Sequence, residues 1–137
     1  MSEPQFRHVR GSTQQGVLVL TVTEPQVRSG DFELVDTLRQ EMLDAVGQVR
    51  ARKVVVDLSA VEYLGSGGFR PLLSLRKRLQ ETGGEMLLCG LQADVRDVLQ
   101  TSRLINAAGT SDAPFGEAPD LPQAIARLNT PTDGQRA

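Results

Sequence analysis

The sequence predicts an α/β fold, a mixed β-sheet with helices packed against it. Three observations point there. After a leading pair of strand candidates, helix and strand signals alternate toward the end of the chain, a pattern that layers helices on a sheet. The run Val54-Val55-Val56 is β-branched at every position, as in a strand covered on both faces. Between strands, apolar residues recur at spacings of three and four, the period of an amphipathic helix. The strand–helix–strand segments should cross over right-handedly and pair in parallel.

Residues 1–5 read as a loose end. Phe6–Arg10 and Val17–Val22 read as strands joined by GSTQQG (Gly11–Gly16), a stretch rich in turn formers, so a hairpin is expected. Residues 23–30, TEPQVRSG, form a loop. Asp31 is placed to cap a helix that carries Phe32, Leu34, Val35, Leu38, Met42, Leu43, Ala45, Val46 and Val49 and ends near Arg50. Gly47 inside it marks either close packing or local weakness, since glycine there costs about 1 kcal/mol relative to alanine. Lys53–Asp57 is the central strand. A second helix runs from about Gly67 to Thr82, with Leu72, Leu75 and Leu79 inward and Arg70, Lys77, Arg78 and Gln80 outward; Gly83-Gly84 stops it. Pro71 lies early in that helix, so the first turn should be irregular or the start slightly delayed. Glu85–Cys89 is a short strand broken by Gly90. Gln92–Thr101 is a short helix, Leu104–Ala108 a last strand, and residues 109–119 a loop. A final helix opens at Asp120 or Leu121, tolerates Pro122 in its first turn, and carries Ala124, Ile125 and Leu128. Residues 129–137 read as a frayed polar tail, so the folded domain is expected over residues 6–128.

The segment KVVVDLSAVEYLGSGGF, residues 53–69, carries most of the functional information. Asp57 and Ser59 end the strand with turn chemistry. Val61, Tyr63 and Leu64 continue as a short apolar stretch, and Gly65-Ser66-Gly67-Gly68 then interrupts before a helix. A hydroxyl at that break sits beside unpaired N–H groups and the positive end of a helix dipole. One role follows for Ser66 from this placement: its Oγ can cap the helix by accepting from the N–H of Gly68 or Phe69. The flanking glycines leave the hydroxyl open to approach by another protein. The 23–30 loop should open on the same end of the sheet, because both segments follow strands and precede helices, and ligands of open α/β sheets gather at such ends. A partner surface made from residues 23–31 and 60–70 is expected. Tyr63, the only tyrosine, reads as packed in the core or at its rim.

The chain has 137 residues, 39% of them apolar, which suits one domain with a modest core. Its net charge of −2 offers no electrostatic grip on nucleic acid. Arg76, Lys77 and Arg78 read as a solvated helix face. No apolar run reaches the length of a membrane span, and MSEPQFRHVR lacks a hydrophobic signal core, so cytoplasmic residence without membrane insertion is expected. Cys89, the single cysteine, lies in EMLLCG and reads as a small buried hydrophobe rather than a reactive thiol. With one cysteine and one histidine, His8, far apart in sequence, neither a metal site nor a cofactor is expected. Glu33, Asp36, Glu41 and Asp44 read as solvated, and no nucleophile–base pair has a recognisable spacing, so the chain is not expected to be an enzyme.

The order of elements, together with VVVDLSAVEYLGSGGFRPLLSLRKRL, GGEMLLCGL and VRDVLQTSRL, resembles the STAS domain, the family of sulfate transporters and anti-sigma factor antagonists. The resemblance spans about residues 6–128. It implies a mostly parallel sheet of four to five strands with helices packed mainly on one side. It also implies a regulatory partner, an anti-sigma factor that is itself a serine kinase, and phosphorylation of the first hydroxyl residue after the motif's aspartate. That position is Ser66, where the helix dipole and nearby free N–H groups would favour a phosphate's charge of about −1.5 to −2. The chain departs from the family motif on both sides of it: Gly65 stands where an acidic residue is usual and Gly67 where a second hydroxyl is usual, while Gly68 matches. Arg70, four residues on, is a candidate to pair with a phosphate. Partner contacts are accordingly expected at Asp57, Ser59, Gly65, Ser66, Gly67, Gly68 and Arg70. A second reading, drawn from the same resemblance, is a non-catalytic subunit of a larger assembly such as a stressosome-like particle or a lipid-transport complex.

Overall fold

The computed structural model describes residues 6–28, 30–105 and 115–129, with the backbone alone at Ser66. The expected loose end at residues 1–5 and the tail beyond Asn129 lie outside the described residues. The chain forms β1 (Val9–Gln14), β2 (Val17–Val22), β3 (Gln26–Val27), α1 (Phe32–Val49), β4 (Lys53–Asp57) and β5 (Tyr63–Leu64). A 3-10 turn at Ser66–Gly68 then leads into α2 (Phe69–Glu81), β6 (Glu85–Cys89), α3 (Ala93–Thr101), β7 (Gly116–Ala118) and α4 (Leu121–Asn129). Five strands make one mixed sheet in the order β1-β2-β4-β6-β7. Among the described residues only the β1–β2 pair is antiparallel; β2–β4, β4–β6 and β6–β7 are parallel. This is the expected α/β architecture. A separate parallel pair joins β3 to β5.

Strand alternation divides the core. Leu18, Leu20, Val54, Val56 and Leu88 face one side, where α1, α2 and α3 contribute Leu38, Met42, Leu72, Leu75, Leu79, Val95 and Leu99. Val17, Val19, Val55, Leu87 and Cys89 face the other, covered by Ala124, Ile125 and Leu128 of α4. The three central valines are fully buried, as their β-branched run predicts. Helices lie mainly on one side, and α4 closes the other.

The helix signals hold well. The Asp31 Oδ1 accepts the Leu34 N–H at 3.1 Å and starts α1. A cation stands at the other end: Arg50 takes the left-handed conformation, φ 52° and ψ 47°. Gly47 is exposed, and a Cβ there would meet nothing within 4 Å, so local weakness is the correct alternative. Gly47→Ala is therefore expected to stabilise the fold by about 0.5–1 kcal/mol, read as a higher urea midpoint with an unchanged slope. Pro71 sits in the first turn of α2, where its missing N–H has no intrahelical role, and the delayed start at Phe69 follows. At the far end the Gly84 N–H donates to the Leu79 carbonyl (2.7 Å) and the Gly83 N–H to that of Gln80 (3.3 Å), the two bonds of a Schellman stop.

Four expectations are corrected. The first strand is Val9–Gln14 rather than Phe6–Arg10, and the turn is only Gln15-Gly16, both with positive φ (53° and 80°). Two such residues match the twist of a tight hairpin; the polar run Ser12–Gln14 is tolerated because β1 is an edge strand. The strand expected at Leu104–Ala108 is not the last, since β7 follows it. Of its described residues Ile105 bridges to Phe115, and residues 106–114 lie outside the described residues. The loop reading of residues 109–119 fails at Gly116–Ala118, which pair in parallel with Leu87–Cys89. Three residues with one apolar side chain carry no strand signal of their own; the edge of β6 supplies it. Finally, Glu41 is not solvated. It is 7% exposed and accepts the N–H groups of His8 (2.9 Å) and Arg7 (3.2 Å), pinning the segment ahead of β1 to the side of α1.

Candidate functional site

At the C-terminal ends of the parallel strands the chain makes two linked constructions. The first terminates β4. The Asp57 Oδ1 accepts the Ser59 N–H at 2.9 Å, a local turn that aspartate favours. The Leu58 N–H donates to the Cys89 carbonyl (3.0 Å), and the Gln92 side-chain amide donates to the Ser59 carbonyl (2.8 Å). Asp57 and Ser59 are thus tied to the β6–α3 connection, with Gly90 packed against both.

The second construction holds the Ser66 turn. The Pro25 carbonyl accepts the N–H groups of Glu62 (2.7 Å) and Tyr63 (3.0 Å), and the Val27 carbonyl accepts that of Gly65 (2.7 Å). Gln26 pairs with Tyr63 and Val27 with Leu64. The Gly68 N–H then donates to the Gly65 carbonyl at 2.9 Å, closing the 3-10 turn. A Cβ at Gly68 would lie 2.5 Å from Leu64 Cδ1 and 2.9 Å from Val27 Cγ1, so a side chain here would have to displace both. Beneath lies an apolar cavity of about 10 Å³, walled in part by Val22, Val27, Leu38, Met42, Leu64 and Gly68. It is too small and too apolar to hold a ligand.

The structure therefore groups the predicted residues in two. Gly65, Gly67 and Gly68 stand with Ser66 in the turn braced by β3, and Arg70 is exposed just inside α2. Asp57 and Ser59 belong to the neighbouring brace at Gly90. The expected cap by the Ser66 hydroxyl lies outside what is described; α2 has Gly68 at its cap position, where no side chain contributes a bond. Tyr63 is 48% exposed, outside the core, and Phe32 at the start of α1 is 70% exposed. Sequence reasoning gave Gly90 and Gln92 no part in the site, and Val27 none beyond its place in the 23–31 surface. A two-residue strand shows no periodicity, but Gly90, directly after β6, was visible as a strand breaker.

Cys89 lies under this end of the sheet, fully buried, and its thiol is pushed up to about 12, first by burial and then by the charges of Asp57 and Asp120. An acid whose folded pKa is raised binds more protons folded than unfolded, so stability falls as pH rises from about 9 toward 12. Cys89→Ala is expected to flatten that decline in urea midpoints measured from pH 8 to 11. Among the described residues, no group of three or more His, Cys, Asp or Glu side chains is placed to hold a metal ion. No helix among them is long and apolar enough to cross a membrane.

The family model for the STAS domain matches residues 9–111. The BtrV protein of Bordetella bronchiseptica, provisionally named an anti-sigma factor antagonist, is 38% identical over 55 residues. That alignment covers 40% of this chain and 47% of the relative, so the match spans about half of the relative's length. An anti-sigma factor antagonist from Mycobacterium paratuberculosis has the same fold, with a TM-score of 0.73, 24% identity, and coverage of 95% of this chain and 100% of that one. The Bacillus cell fate determinant SpoIIAA, solved in its phosphorylated form, aligns with a TM-score of 0.60 at 16% identity, covering 88% and 99% of the two chains.

Proposed function

This chain belongs to the STAS domain family, and from that premise we propose that it acts as an anti-sigma factor antagonist, a regulatory module that binds a protein partner. It captures an anti-sigma factor that is also a serine kinase and so frees a sigma factor by mass action. It carries out no chemistry of its own. The observation behind this reading is the β3–β5 pairing, which sets the 23–31 loop directly beside residues 60–70 at the strand ends where open α/β sheets meet their ligands. Phe32 and Tyr63 add exposed aromatic surface beside that seam, the residue type that anchors protein interfaces. The relative named as an anti-sigma factor antagonist supports the same class of partner.

Ser66 is the proposed switch. It stands in the turn just before α2, so a phosphate there would meet the positive end of that helix and need not disturb the fold. A docked partner would meet new bulk and new charge. Arg70, exposed just inside α2, is a candidate counter-charge. Ser66→Asp is expected to weaken binding of the cognate anti-sigma factor at least tenfold, about 1.4 kcal/mol, while Ser66→Ala binds like the wild type. Equal affinities for all three would end the switch proposal. Charge reversals within residues 23–31 and 60–70 should abolish capture of that partner from native lysate, and phosphopeptide mapping over residues 53–76 should locate the modification. Purification with transporter subunits in place of a small kinase would favour the reading as a structural subunit of a larger assembly.

A further inference from the structure

At the opposite end of the sheet, where the parallel strands begin, a second cavity of about 340 Å³ opens between the β1–β2 turn, the segment from α1 into β4, and the end of α4. Among the described residues, three cationic ones line it, Arg50, Arg52 and Lys53, and no carboxylate does. Neither arginine enters an ion pair among the described residues. The Lys53 ammonium donates to Asn129 Oδ1 at 3.0 Å, and the Asn129 amide donates to the Gln15 carbonyl at 3.0 Å, which holds the lysine on the wall. Arg52 reaches toward the turn that ends α2, its Nη2 3.1 Å from where a Gly83 Cβ would sit. Glu85 is the strand neighbour of Lys53 in register but does not line the cavity.

The charge balance favours an anion. Helices α1, α2 and α4 all end on this side, and their C-termini together contribute about one and a half negative charges. The three cations exceed that. Arg50 holds a left-handed backbone, a place where glycine or asparagine is the easier choice. Part of its charge serves the end of α1, but three helix ends of about half a charge each do not consume three cations. The volume lies at the small end of the range for ligand pockets, and arginine and lysine together suit a phosphate group.

We propose that this cavity binds a small phosphorylated metabolite carrying at least two negative charges. The site is independent of the partner surface at the other end of the sheet. The test is a titration of the full chain with inorganic pyrophosphate, at ionic strength held constant with sodium chloride, followed by 1H–15N correlation spectra. Saturable shifts are expected at residues 13–16, 50–53 and 129, with inorganic phosphate binding at least tenfold more weakly. The double variant Arg50→Asn, Arg52→Gln should lose at least tenfold in pyrophosphate affinity; asparagine tolerates the left-handed backbone, so the fold is retained. Should the double variant unfold, Arg52→Gln alone is expected to lose at least threefold. Shifts that never saturate, that sodium chloride alone reproduces, or that centre on Gly65–Arg70 would overturn the proposal, as would unchanged affinity in a folded variant.

Discussion

Gly90→Ala is expected to destabilise the protein by about 2–4 kcal/mol, the sum of a left-handed backbone that a side chain resists and the crowding of a filled space. Gly90 has φ +71°, and a Cβ there would lie 2.8 Å from Asp57 Oδ1, 2.9 Å from Ser59 Cβ and 3.2 Å from the Ser59 nitrogen. The Ser59 backbone is already committed. Its N–H is bound by Asp57 and its carbonyl by Gln92, so the turn has little freedom to give way. A natural control exists at Gly16, which also has positive φ, +80°, but where a Cβ would meet nothing within 4 Å. Gly16→Ala should therefore show the backbone component alone, about 1–2 kcal/mol. Urea unfolding of both variants separates the two contributions. If Gly90→Ala loses no more than Gly16→Ala, the packing of Asp57 and Ser59 against Gly90 is not the constraint described here. The same variant should disturb the segment between Ser59 and Tyr63, which connects the end of β4 to the Ser66 turn.

Glu41→Ala is expected to cost about 2–3 kcal/mol. The Glu41 carboxylate is a single buried acceptor serving two backbone donors, Arg7 and His8, from more than thirty residues away. Hydrogen bonds to charged groups contribute about 1.5–3 kcal/mol each, and donors left unsatisfied in a buried place add a penalty. Because both bonds are only part-buried, water recovers some of the loss, which keeps the total near that of one strong bond and part of another. Glu41→Gln retains one carbonyl oxygen and should lose about half as much. Amide hydrogen exchange gives a local readout. The Arg7 and His8 amides should exchange faster in Glu41→Ala at equal global stability-corrected rates, while the β4 and β6 amides should not. Unchanged protection at Arg7 and His8 would show that their N–H groups do not depend on Glu41.

Both effects arise from residues whose roles are poorly advertised in sequence. Glu41 reads as solvated with the acidic residues Glu33, Asp36 and Asp44, which are exposed, because it is a carboxylate, although it lies three residues after Leu38 and four before Ala45, on the flank of the buried stripe. It is buried because the segment ahead of β1 lies across that face of α1 and brings two donors with it. Gly90 could be read as a strand breaker, but not as a glycine demanded by a neighbouring strand's turn. The candidate site was legible in the same uneven way. The Gly65–Gly68 break, the helix after it and the nearness of the 23–31 loop all followed from the order of elements. The bracing of that loop by β3 did not, since two residues carry no periodic signal.

Local chain chemistry by itself determined the strong elements. The valines of β4 demanded burial on both faces, the leucines of α2 demanded one buried stripe, and Asp31 and Gly83-Gly84 marked where helices begin and stop. Tertiary structure alone decided the weak ones: the register that lengthened β1, the existence of β3, β5 and β7, the burial of Glu41, and the gathering of Arg50, Arg52 and Lys53 around one cavity with the turn before Val17. The reason is that a long element stabilises itself through its own repeating hydrogen bonds and a continuous apolar face. Two or three residues of strand, or one charged side chain, take their place only from the partner that the rest of the fold brings beside them.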